Sequence, residues 1–190
     1  MLNERIREGY GGALAEVAAH ARVEVVAGST SPAIEPAPTL LLTSAAEILA
    51  DPRPLTEEMF GPAALVVEYA DDAEMLAAAA VFDGQLTATV QGEEDDAVVP
   101  ELLGVLSERA GRVLFNGWPT GVSVTYAQQH GGPYPATTAV GTTSVGTAAI
   151  VRFLRPVAYQ DVPEALLPPP LQDANPWHVP QRVDGELRLP

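Results

Sequence analysis

Cysteine is missing from the chain, and with it go disulfides, thiolate metal sites and any thiol nucleophile. Lysine is missing too: all ten basic residues are arginine, which excludes any mechanism that needs a lysine amine from these residues. Histidine occurs only at His20, His130 and His178, without metal-ligand spacing, so no metal site is expected. Nothing approaches the roughly eighteen-residue apolar run of a membrane span. Nor is there a basic-then-apolar leader, and the expectation is a cytoplasmic protein with no membrane partner.

Acid dominates what is present. With 25 carboxylates against ten bases the formal charge is -15, a surface that repels phosphate backbones, and nucleic acid is not expected as a partner. Solubility is the plain reading of that charge. At 190 residues and 47% hydrophobic, the chain can bury one good core, or one domain with an extension.

Helical and extended patterns alternate along the chain. Leu2, Ile6, Tyr10, Leu14 and Val17 recur at near-helical spacing, and "VEVVAG" at 23–28 reads as a short strand. "STSPAIEPAP" is a proline-rich connector, followed by a strand at 39–43. Ser44 and Glu47 form a capping-box pattern for the helix "SAAEILA". "AALVVEYA" is a third strand; Asp71 or Asp72 can cap the alanine-rich helix after it, which Asp83-Gly84 closes ahead of the strand "QLTATV". The acidic "EEDDA" suits the start of a helix running to about Arg109, with Pro100 in its first turn or as a kink. Gly111 ends that helix and "RVLFN" at 112–116 is the next strand. These strands read as apolar runs more than strict alternation, as when both faces are covered. The predicted class is α/β: a largely parallel sheet with flanking helices, plus a long loop and an extended C-terminal arm.

Residues 117–146 are dense in Gly, Pro, Thr and aromatics and have little periodicity. A loop that long is functional or disordered, and Trp118, Tyr126 and Tyr134 argue for order. "TAAIVRFL" reads as a short helix and "RPVAYQD" as a strand. Beyond Pro163 the composition fits an arm lying over a surface and a disordered tail alike. There is no internal repeat. "GYGG" at 9–12 sits inside a helical pattern with no strand before it, so it is no phosphate loop. Ser144, His130 and an Asp could be written as a triad, but nothing local marks a nucleophile elbow.

Five segments, in order, carry a resemblance: "EEMFGPAALVV", "GQLTATV", "AGRVLFNGWPTGV", "HGGPYPATT" and "TTSVGTAAIVRFLRPVAYQ". Together they resemble the C-terminal third of the NAD(P)-dependent aldehyde dehydrogenases, nearest to the branch that oxidises 2-oxoglutarate semialdehyde (2,5-dioxovalerate). The resemblance implies that residues 1–154 are part of the catalytic domain and that 155–190 hold an oligomerisation strand and a proline-rich tail. It also implies that Glu58 receives the hydroxyls of the nicotinamide ribose of NAD or NADP and that Phe60 packs by the nicotinamide. A carboxylate accepts two neighbouring hydroxyls at once, and an aromatic ring shields the cofactor from water. Gly61 and Pro62 would turn the backbone so that both side chains face one cleft. Trp118 and Tyr134 are the candidates for an apolar wall around a small aldehyde, and core packing explains them equally. "PVAYQ" would pair with another subunit, as a homo-oligomer, or the chain would join an upstream portion of the same enzyme.

One departure matters. Relatives attack the aldehyde with a Cys thiolate, pass hydride to NAD(P)+ and hydrolyse the thioester with a Glu base. That Cys, that base, the oxyanion-hole Asn and the dinucleotide-binding domain lie upstream of the matched part, so no catalytic residue can be assigned here. The expectation is a piece of an enzyme, inactive alone. The competing readings are a non-catalytic oligomerisation or interaction module derived from such an enzyme and a generic α/β domain. The sequence leaves NAD versus NADP open.

Overall fold

The computed structural model describes residues 3–30, 36–119 and 121–190. It divides into two compact units, residues 1–152 and 153–190. Leu2 and the middle of the proline-rich connector lie outside the described residues.

The first unit opens with helix α1, Glu4–Ala18, whose Asn3 side chain accepts the Ile6 N–H and so caps the first turn. Tyr10, Leu14 and Val17 are its buried stripe. Strands β1 (Glu24–Ala27), β2 (Thr39–Ser44) and β3 (Ala63–Glu68) form one sheet in the order β1-β2-β3. β2 and β3 run parallel, in register from Thr39 opposite Ala63 to Ser44 opposite Glu68; β1 is antiparallel to β2. The helix stripe meets Leu41 of β2, Ile48 of α2 (Ala45–Ala50) and Leu55 of α3 (Arg53–Thr56), with Ala63, Leu65 and Val67 of β3 packed around them. Two buried threonines of β2 are satisfied by backbone: the Thr43 hydroxyl donates to the Arg22 carbonyl at 2.9 Å and that of Thr39 to the Ala37 carbonyl at 3.1 Å.

A second core joins α4 (Asp72–Ala80), β4 (Gln85–Val90) and α5 (Val99–Ser107) through Val90, Val99 and Leu102, with Met75 and Leu76 against them. β4 pairs in parallel with β5, Ala110–Phe115. Asn116 clamps the far ends of this pair: its side chain exchanges hydrogen bonds with Gly92, at 2.9 and 2.8 Å, while its own N–H reaches the Val90 carbonyl.

Several expectations change in detail. Ser44 makes no capping hydrogen bond, and Glu47 instead meets Arg22 at 3.3 Å. The reciprocal cap forms at α4, where Asp71 accepts the Glu74 N–H at 2.9 Å and Glu74 accepts the Ala70 N–H at 2.6 Å. The "EEDDA" segment is a turn rather than a first helical turn, and α5 starts at Val99 with Pro100 in the first turn, where no backbone N–H is needed. Gly111 lies inside β5 rather than before it. β3 alternates between half-buried and exposed residues, and β1 is exposed throughout, so these strands are not covered on both faces as their apolar sequences suggest.

In the second unit the segment at 155–161 forms no strand: it has no ladder partner among the described residues, and a strand is defined by its partner. The helix expected across "TAAIVRFL" is a 3-10 helix, Thr147–Phe153. The tail is built rather than featureless. Two 3-10 turns, Glu164–Leu166 and Pro169–Leu171, precede the hairpin β6 (Gln181–Val183) and β7 (Glu186–Arg188). Asp184 and Gly185 both take positive φ, 51° and 88°, as a two-residue hairpin loop requires. The Gln181 side chain ties the hairpin to the turns by donating to the Pro170 and Gln172 carbonyls, each at 3.0 Å.

Candidate functional site

The corner between α3 and β3 places Glu58 and Phe60. α3 is a single turn whose Leu55 is buried and whose Thr56 hydroxyl donates to the Pro52 carbonyl at 2.9 Å. The chain leaves α3 with extended backbone at Glu57. Met59 turns inward and packs on the core around Tyr10. Its neighbours Glu58 and Phe60 are exposed, Phe60 at 68%.

Two tight turns then swing the chain into β3. The Gly61 N–H donates to the Met59 carbonyl at 2.7 Å, and the Ala63 N–H donates to the Gly61 carbonyl at 2.9 Å. The Pro62 carbonyl accepts the Thr39 N–H at 2.9 Å, fixing the corner to the start of β2. Gly61 lies flat against the ring of Tyr10: a methyl group there would overlap ring carbon Cδ2 and sit 2.6 Å from two more ring carbons. Glycine is needed here for close approach, as its φ is not positive.

Beside this corner is an open cleft of about 570 Å³, lined by Ile6 of α1, Pro36 and residues 58–62. Among the described residues no group bonds the Glu58 carboxylate, which is exposed. A free carboxylate and an uncovered aromatic face on one concavity fit a nicotinamide riboside: the acid can accept two sugar hydroxyls and the ring can lie along the base.

Trp118 and Tyr134 stand on the loop after β5, 81% and 74% exposed, and neither lines the Glu58 cleft. Ser144 and His130 do meet, through the backbone: the Ser144 hydroxyl donates to the His130 carbonyl at 2.9 Å and not to the imidazole, so no triad is assembled. No group of metal-ligating side chains converges among the described residues, and no helix of those residues is long and apolar enough to cross a membrane.

Sequence reasoning overlooked Tyr10, Ile6 and Pro36 as supports and walls of the cleft. Tyr10 was readable only as one position of a helical stripe, and nothing local links it to a glycine fifty-one positions later.

No protein-family model matches the chain. Its fold is that of part of an aldehyde dehydrogenase. Lactaldehyde dehydrogenase from Escherichia coli superposes with a TM-score of 0.64 at 20% identity, over 85% of this chain and 32% of that one. A betaine aldehyde dehydrogenase from Staphylococcus aureus, solved in complex with NAD+, gives 0.60 at 15% identity, over 80% and 30%.

Sequence narrows the likeness. The alpha-ketoglutaric semialdehyde dehydrogenase of Acinetobacter baylyi is 51% identical over 134 residues, 70% of this chain and 26% of the relative. Alpha-ketoglutaric semialdehyde dehydrogenase 2 of Azospirillum brasilense is 50% identical over 139 residues, 73% of this chain and 26% of the relative. The chain is thus homologous to a segment of the aldehyde dehydrogenases, and it spans 26% of the length of the curated relatives it matches.

Proposed function

We propose that this chain is the C-terminal part of an NAD(P)+-dependent aldehyde dehydrogenase that oxidises a small semialdehyde, 2-oxoglutarate semialdehyde, to the acid. The observation that carries this reading is the cleft beside the α3–β3 corner, on which an unpaired Glu58 and an uncovered Phe60 both open. Glu58 receives the ribose hydroxyls and so fixes the rotation of the nicotinamide; Phe60 covers one side of the ring and excludes water. NAD(P)+ bound there supplies the hydride acceptor. Trp118 and Tyr134 face the aldehyde once the remainder of the enzyme encloses the loop. Segment 155–161, exposed and without a ladder partner, supplies a strand to another subunit of a cytoplasmic oligomer.

No residue of this chain serves as the thiol nucleophile, so the chain alone does not oxidise the aldehyde. The test is the absorbance of reduced nicotinamide formed from 2-oxoglutarate semialdehyde by the purified chain and by a fusion of the chain to the preceding portion of the Acinetobacter relative. Turnover by the fusion and none by the chain is expected. Robust turnover by the chain alone, or a folded fusion with no activity, would overturn the proposal.

A further inference from the structure

A second cleft, of about 220 Å³, is built by the loop that follows β5. Its floor is fixed by glycine contacts: a methyl on Gly111 would overlap the Gly131 carbonyl, and one on Gly132 would overlap the Gln85 carbonyl. Residues 131 and 132 therefore lie flat on the starts of β4 and β5, with Leu86 of β4 as an apolar wall. The rim is also held in place. Buried Thr143 accepts the His130 N–H at 2.9 Å and donates to the Val145 carbonyl at 2.8 Å, while the Ser144 N–H reaches the His130 carbonyl at 3.1 Å.

The hydroxyls on that rim are not equivalent. Those of Ser144 and Thr142 spend their protons on the His130 and Ala139 carbonyls. The Thr137 oxygen instead accepts the Ala139 N–H at 3.1 Å, leaving its own proton to donate. Arg152 also lines the cleft, and none of the described residues pairs with its guanidinium. None of the eight lining residues is acidic, although the chain carries a formal charge of -15. Arginine, imidazole and a free hydroxyl proton on a rigid, acid-free cleft are the donor set of an oxyanion site, and the guanidinium fork matches a planar carboxylate.

We propose that this cleft binds a small carboxylate, with Arg152 as its ion-pair partner and Thr137 and His130 as hydrogen-bond donors. The cleft's chemistry is independent of what the Glu58 corner binds. The test is titration of the full 190-residue chain with succinate, 2-oxoglutarate and inorganic phosphate at low salt, followed by backbone amide NMR and calorimetry. Saturable binding of the dicarboxylates is expected, with shifts centred on 130–137 and on Arg152. Arg152→Gln should weaken binding by at least about tenfold, and Thr137→Val by a few-fold, as the loss of hydrogen bonds to a charged group implies. Arg152→Lys should retain part of the affinity and Arg182→Gln all of it. Three results would overturn the proposal: no saturable binding, phosphate binding tighter than either dicarboxylate, or full affinity in a folded Arg152→Gln chain. Should that variant fail to fold, Thr137→Val and Arg152→Lys decide.

Discussion

Replacing Gly61 by alanine tests how the corner is held. The added methyl would overlap Tyr10 Cδ2 and lie 2.6 Å from Cε2 and Cγ. Those distances are roughly 1 Å inside the ~3.5 Å at which carbon atoms rest. Tyr10 has little room to retreat, since it is 4% exposed and packed among Leu14, Leu41, Ile48 and Leu55. The corner cannot swing outward without breaking the hydrogen bonds of Gly61 to Met59 and Ala63 and that of Thr39 to Pro62. Overpacking of this kind costs about 1–3 kcal/mol. For a unit of this size each kcal/mol lowers the melting temperature by about 2–4 °C, so a fall of about 2–12 °C is expected. Thermal and denaturant melts of the variant measure it, and hydrogen exchange at the Gly61 and Ala63 amides shows whether the corner or the helix yields. A variant as stable as the parent, with unchanged exchange at both amides, would refute the claim that Tyr10 and Gly61 are locked together.

Three further outcomes follow from the same structure. Gly12 lies in α1 with open space around its Cα, so Gly12→Ala should raise stability by about 0.5–1 kcal/mol, seen as a higher denaturation midpoint. Asp71→Ala removes the cap of α4 and should cost about 1 kcal/mol. Ser44→Ala, where no cap bond exists, should change stability by less than about 0.5 kcal/mol, and urea melts of the two variants compare them directly.

How much of this was written in the sequence depends on the range of the interaction. Helices α1 and α4 were legible because their signals are local: an apolar repeat for one, an Asp71-Asp72 start ahead of an alanine-rich run for the other. The parallel pairing of β2 with β3 and of β4 with β5 followed from strands separated by helices. Burial was less legible, because Val66 reads as core in sequence yet stands 44% exposed on a strand covered on one side only. The Asp184-Gly185 hairpin carried a clear local signal, two strand-like triplets around a turn dipeptide, and was masked by the proline-rich composition of the tail.

For the site the division is the same. Glu58 and Phe60 were singled out by the resemblance of the segment before the Gly-Pro corner, and the structure brings both to one cleft. Ile6 lines that cleft and Tyr10 backs Gly61 behind it, both brought there from α1 by tertiary packing alone. Trp118 and Tyr134 were singled out as aromatics in a loop, and both stand exposed there, away from the Glu58 cleft.

The most direct measurement of the account is an NMR titration of the chain with nicotinamide mononucleotide, the part of the cofactor that the Glu58 corner is argued to hold. Amide shifts at Met59 and Gly61, contacts between the Phe60 ring and the nicotinamide, and loss of both in Glu58→Gln are predicted. Saturating mononucleotide that leaves residues 58–62 unmoved, or that binds Glu58→Gln as well as the parent, would contradict the assignment.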